Sequence, residues 1–161
     1  MNSNRPELPS GVILAIDWGQ RRVGLAVSDS TQAMVFPIKV LQRSGHQPEA
    51  AAIRKTVQEN GARAIIVGWP LLNNGLSGQN GPVILKWVES VCVPAGVPIF
   101  FADERFTSVL ADETLRETGR KASQRKALID SMAAREFLQD VINGAARIWP
   151  LGSSPPEIKL A

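Results

Sequence analysis

The chain has 161 residues, 44% of them hydrophobic, with a formal net charge of +3 and a pI near 9.4; that is one domain's worth of chain, able to bury about 70% of the surface exposed on unfolding. No apolar run approaches the ~20 residues of a bilayer span, and the polar segment Met1 to Ser10 lacks the apolar core of a secretory signal, so a cytoplasmic protein is expected. One cysteine, Cys92, rules out an internal disulfide, and one histidine, His46, leaves no material for a His/Cys metal cage or a Ser-His-Asp triad, so carboxylates must carry any hard catalysis.

In chain order, residues 1–10 read as a flexible segment and residues 11–150 as one α/β domain. Val12 to Asp17, Val23 to Ser28 and Met34 to Leu41 are short apolar runs. The first two are joined by a tight turn at Gly19, and Pro37 suits the third to a sheet edge, so an antiparallel meander is predicted. A helix follows from about Pro48 to Asn60, with Ala50, Ile53 and Val57 on one face and Gly61 as its stop. Ala64 to Gly68 is wholly apolar, as a parallel strand covered on both faces would be, and Trp69-Pro70 ends it. Leu71 to Gly81 reads as a loop, and Pro82 opens a helix through Ile84, Trp87, Val88 and Val91. Val97 to Ala102 is the last predicted strand. Helices from about Thr107 or Ser108 to Thr118 and from about Ala127 to Ile142 complete the domain, and the segment from 151, with Pro155-Pro156, reads as a poorly ordered tail.

Three acidic positions stand out on this framework. Asp17 closes the first strand, Asp103-Glu104 follow the last, and Asp130 begins a helical stripe made with Ala134, Phe137, Leu138 and Val141. Ends of neighbouring strands lie ~4.8 Å apart, so such acids can share one small ligand. Each also has a plainer explanation. Asp17 suits an Asx turn, Asp103 and Glu104 precede a helix start, and an acid in the first helical turn is favoured by the macrodipole at ~0.3–1 kcal/mol. Their coincidence in one fold favours a common site.

The run Ile13-Leu14-Ala15-Ile16-Asp17-Trp18-Gly19 with Arg22-Val23-Gly24-Leu25-Ala26-Val27-Ser28-Asp29, then Ile66-Val67-Gly68-Trp69-Pro70, Asp103-Glu104-Arg105-Phe106-Thr107-Ser108 and Asp130-Ser131-Met132-Ala133-Ala134, resembles the successive motifs of the YqgF/RuvX family of bacterial pre-16S rRNA nucleases. The resemblance runs from about Leu14 to Leu138 and rests on the order and spacing of the motifs together. Trp69 is a departure, standing where that family usually has a smaller aliphatic residue. The resemblance implies an RNase H-like fold, with a mixed five-stranded sheet of a three-strand meander plus two parallel strands and helices on both faces. By position it makes Asp17, Glu104 and Asp130 the catalytic and metal-holding acids, with Asp103 as a neighbouring or alternate ligand. It further implies Mg²⁺ or Mn²⁺, which prefer carboxylate and water oxygens, and hydrolysis of phosphodiester bonds near the 5' end of pre-16S rRNA.

Basic residues match an anionic partner. Arg120, Lys121, Arg125 and Lys126 precede the predicted helix bearing Asp130, Arg21 and Arg22 sit at the first hairpin, and Arg105 follows Glu104. A solvated charge run is the plainer reading, but the position beside the acids favours phosphate contacts. Trp18 and Trp69 are placed either to stack on bases or to pack in the core. The expected partner is precursor rRNA or a pre-ribosomal particle, bound by a monomer or weak homodimer with no membrane association. Two other readings stay open: a nuclease of four-way DNA junctions, and a non-catalytic RNA-binding assembly factor on the same fold. The Asp-x-Gly hairpin also resembles the start of actin-like ATPases and sugar kinases, which need two lobes where this chain supplies one.

Overall fold

A computed structural model describes residues 6–70, 80–103 and 122–153, except for the side chains of residues 122–131. Three strands open the chain, β1 (Ile13–Asp17), β2 (Arg22–Ser28) and β3 (Val35–Gln42), as an antiparallel meander. β3 is an edge strand, as Pro37 requires, and its register with β2 slips between Leu25 and Ala26, opposite the segment that follows Pro37. Helix α1 (His46–Asn60) ends at Gly61, whose φ of 63° lets it close the helix in the left-handed conformation. β4 (Ala64–Trp69) then pairs parallel with β1, and β5 (Ile99–Asp103) parallel with β4. Between these two strands, α2 (Gly81–Trp87) runs on through a π-helical turn, Val88–Cys92, into a 3₁₀ turn, Val93–Ala95. Helix α3 (Ala122–Ile142) crosses the sheet, and β6 (Ile148–Pro150) returns antiparallel beside β5. The sheet order is β3-β2-β1-β4-β5-β6.

Strand alternation divides the apolar side chains between two faces. On one, Leu14, Ile16, Val67, Phe101 and their neighbours pack against Ile53 and Val57 of α1 and against Ile84, Trp87, Val88 and Val91 of α2 and its extension. On the other, Ile13, Ala15, Ala26, Ala64, Ile66, Phe100 and Ala102 pack under Ala134, Phe137, Leu138 and Val141 of α3. The small side chains at 15, 26, 64 and 102 let this long helix approach the sheet. Leu8 packs at the margin of that second core. Cys92 is fully buried, and burial pushes its thiol up, far from a reactive thiolate.

The architecture is the expected mixed α/β sheet with helices on both faces, extended by one strand. Ile148-Trp149-Pro150 is too short to carry an alternation pattern, and its pairing depends on the exposed edge of β5. Several boundaries also move, two of them at residues that bear on the site. α3 begins at Ala122 rather than near Ala127, because Ala122 to Ala127 is a run of good helix formers with no breaker. β4 includes Trp69, which is held in the core at a ring-centroid distance of 5.0 Å from Phe101 and 6.3 Å from Trp149. At 6% exposure Trp69 has no face to offer a base, so its role is packing. The predicted loop from Leu71 to Gly81 lies outside the described residues through 79, while Gly81 already belongs to α2; the predicted helix at 107–118 and the tail beyond 153 also lie outside the described residues.

Candidate active site at the carboxyl end of the sheet

Asp17 is the last residue of β1 and is half-buried. Alternation from Ile13 and Ala15 places it on the face covered by α3. Its partner across the antiparallel pair is Gly24. On its other side, the parallel register Ile16↔Val67 continues to Gly68. Asp17 is therefore the one side-chain-bearing residue in a row of three neighbouring strands, flanked by two glycines on the same face. Both glycines are buried, and glycine in a strand interior marks a close approach of neighbouring groups to the sheet there. Neither glycine emerges as a site residue from the sequence pattern, although a glycine interrupting an apolar strand is the signal that marks one.

Asp103 closes β5 level with Trp69, and its N–H donates to the Arg147 carbonyl at 3.1 Å. It does not share the face of Asp17. Ile99 and Phe101 pack on the α1 side while Phe100 and Ala102 pack on the α3 side, so alternation sends Asp103 to the α1 side. Two strand spacings, about 10 Å, also separate the two strand ends. Glu104 lies outside the described residues. Position 130 falls on α3 at the start of the stripe formed by Ala134, Phe137, Leu138 and Val141, all buried against the face that carries Asp17. Because α3 begins at Ala122, Asp130 stands roughly two turns inside the helix, beyond the first-turn reach of the macrodipole. The first-turn explanation of this acid is thereby removed.

The basic candidates divide likewise. Arg22 opens β2 half-buried and Arg21 is exposed beside it in the hairpin. Arg125 and Lys126 lie within the first turns of α3 rather than ahead of it, with side chains outside the described set. Arg105, Arg120 and Lys121 lie outside the described residues. Among the described residues no three His, Cys, Asp or Glu side chains gather as a metal cage. Asp17 is nonetheless a hard oxygen donor, partly open, on a glycine-flanked surface, and suits Mg²⁺ or Mn²⁺ better than a softer ion.

The turn after Asp17 is tightly built. A Cβ on Gly19 would lie 2.5 Å from the Arg22 carbonyl oxygen, so only glycine closes this hairpin. Trp18 is half-buried against the α1-side core, with its indole Nε1 buried and without a hydrogen-bond partner. The Arg43 guanidinium lies over the Trp18 ring at 5.2 Å from its centroid and donates from Nη1 to the Gly19 carbonyl at 3.0 Å. Arg43 is in turn bound to Glu49, a buried carboxylate of α1's first turn. Glu49 accepts from Arg43 Nε at 2.9 Å, from Trp87 Nε1 at 2.7 Å, and from the backbone N–H groups of Ser44 and Gly45 at 2.8 and 2.6 Å. Burial pushes its pKa up, but the Trp87 indole, the two amides and the Arg43 cation together outweigh that and hold it below the ordinary glutamate range. This network has no counterpart in the sequence reading, since Glu49 looks like any acid at a helix start.

A family model described as "RuvX: Holliday junction resolvase" matches residues 11–144. A protein of Chloroflexus aurantiacus named "Putative pre-16S rRNA nuclease" is 37% identical over 134 residues, covering 82% of this chain and 86% of its own. A protein of the same name from Dechloromonas aromatica is 33% identical over 140 residues, covering 87% and 96%. Among solved structures, Thermus thermophilus RuvC in complex with a Holliday junction substrate superposes with a TM-score of 0.55 at 19% identity, over 88% of this chain and 99% of that one. At that identity the likeness speaks for the fold alone, which is the RNase H-like fold of the RuvC resolvases. With a model match through nearly the whole described domain and relatives above 30% identity over most of both chains, the chain belongs to the RuvX family.

Proposed function

We propose that this chain is a cytoplasmic, metal-dependent endonuclease that hydrolyses phosphodiester bonds in trimming the 5' end of pre-16S rRNA. The single observation that carries the reading is Asp17 at the end of β1, flanked by Gly24 and Gly68 on the face that α3 covers. A half-buried carboxylate that follows the β1 alternation onto a helix-covered sheet face is better explained as a ligand than as a turn residue. In this reading Asp17, Glu104 and Asp130 hold the ions. Glu104 is carried over from the family resemblance, and it is preferred to Asp103 because alternation along β5 sends Asp103 to the face opposite Asp17. Bound Mg²⁺ or Mn²⁺ would supply Lewis acidity to the attacking water and the leaving oxygen. The carboxylates fix the geometry, and Arg21, Arg22, Arg105, Arg120, Lys121, Arg125 and Lys126 hold the strand through its phosphates. The protein acts as a monomer or weak homodimer on precursor rRNA or a pre-ribosomal particle. The names carried by the Chloroflexus and Dechloromonas relatives support the rRNA substrate.

A second reading, cleavage of four-way DNA junctions, is supported by the description of the family model. The test presents purified protein, with Mg²⁺ or Mn²⁺, with a precursor 16S rRNA 5' end, a single-stranded RNA and a DNA junction side by side. The rRNA end is expected to be cut in preference, and Asp17→Asn is expected to abolish cleavage while the protein stays folded. Wild-type cleavage by that variant would return Asp17 to a turn role, preference for the junction would select the second reading, and no cleavage of any substrate would leave a non-catalytic RNA-binding module.

A further inference from the structure

The β-ladder ends at Asp17, whose last partner is Gly24, yet a metal-holding carboxylate must keep its place to within a fraction of an ångström. We propose that Arg43 is a positioning residue for Asp17, clamping the turn that follows it through Gly19 and Trp18 while itself anchored by Glu49. The proposal rests on the reading of Asp17 as the central acid of the site. Four contacts carry it. The Arg43 backbone N–H donates to the Arg21 carbonyl at 3.0 Å, Nη1 donates to the Gly19 carbonyl at 3.0 Å, the guanidinium covers the Trp18 ring, and Nε donates to Glu49 at 2.9 Å. Trp18 and Gly19 are the two residues immediately after Asp17, so the clamp grips the backbone where the sheet stops gripping it.

The anchor is stiff for a physical reason. Glu49 is 2% exposed and its carboxylate is fixed by Trp87, itself buried at 1%, and by two backbone amides at the start of α1. A line of bonded groups thus runs from the core, through Glu49 and Arg43, to the hairpin. Only arginine fits, because the planar guanidinium makes two directed bonds and a stacking contact at once, whereas lysine offers a point charge without the fork.

The test compares the full-length wild type with Arg43→Lys and Arg43→Gln by Mn²⁺ titration, by kcat and KM on the substrate that the wild type cleaves, and by amide hydrogen exchange across residues 17–22. Positioning predicts that both variants exchange at least about tenfold faster in that segment, bind Mn²⁺ more weakly, and lose about 10- to 100-fold in kcat with KM within about twofold. If Arg43 instead holds a substrate phosphate, Arg43→Lys keeps kcat and Arg43→Gln raises KM with unchanged exchange, and the proposal fails. Should the Arg43 variants not fold, Trp18→Leu removes the stacking surface with Glu49 untouched and is expected to shift the same three readouts, whereas wild-type values there overturn the clamp. A wild type that neither binds Mn²⁺ nor cleaves sinks the metal-nuclease reading alone; in that event the exchange arm still decides whether Arg43 holds the hairpin.

Discussion

Replacing Glu49 with alanine tests how much the fold depends on the one buried carboxylate network in its described part. The side chain accepts four hydrogen bonds, and its loss affects the donors unequally. Trp87 is buried, so its indole N–H is left without an acceptor at ~1–3 kcal/mol. Ser44 and Gly45 are exposed, so their amides rehydrate and only the helix-start interaction is lost, ~1 kcal/mol. Arg43 is 22% exposed in its side chain and recovers water, so its share stays under about 1 kcal/mol. The expected cost is about 3 kcal/mol, at the lower end of the ~3–5 kcal/mol for breaking a buried pair. For a chain of this length that lowers the melting temperature by roughly 6–12 °C. The deficit has a pH signature. Glu49 is held below the ordinary glutamate range in the fold, so in the acid window the unfolded chain binds more protons than the native state, and stability there rises with pH. The contribution is therefore complete above the unfolded-state value, about 4.3, and is lost as pH falls through the lower native value. Denaturation of both proteins at pH 7 and in steps down to about pH 3 measures it. A deficit under about 2 °C at pH 7, or one that stays the same in acid, would refute the reasoning.

The remaining expectations concern the site itself. Gly68→Ala puts a methyl group on the buried sheet face beside Asp17, and cleavage is expected to fall at least about tenfold; an unaffected rate would show that this face tolerates a side chain there. Asp130→Asn is expected to abolish cleavage, leave the metal-free melting temperature equal or higher through relief of like-charge repulsion, and shrink the stabilisation given by Mn²⁺; lower metal-free stability with normal cleavage would remove Asp130 from the site. Replacing Arg125 and Lys126 together by glutamine should flatten the log–log salt dependence of single-strand binding by ~0.7 per lost contact, and an unchanged slope would make them a solvated face.

Much of this protein is legible in local pattern. The apolar runs that become β1, β2 and β4, the Pro37 edge, the Gly61 helix stop and the sheet-facing stripe from Ala134 to Val141 are all set by short-range periodicity and turn chemistry, which act within a few residues and so survive in the sequence. Asp17 at a strand end is legible for the same reason. What only the tertiary structure decides depends on partners distant in the chain. β6 exists because the edge of β5 offers it a ladder. Trp69 belongs to the core because Phe101 and Trp149 converge on it. Asp103 parts from Asp17 because parallel register and alternation send their side chains to opposite faces, and Gly24 and Gly68 become neighbours of Asp17 only once three strands are in register. Glu49 is an ordinary helix-start acid in the sequence. It becomes a buried anchor through Trp87, 38 residues away, since burial and the donors that make it tolerable are properties of packing and not of any local run of residues.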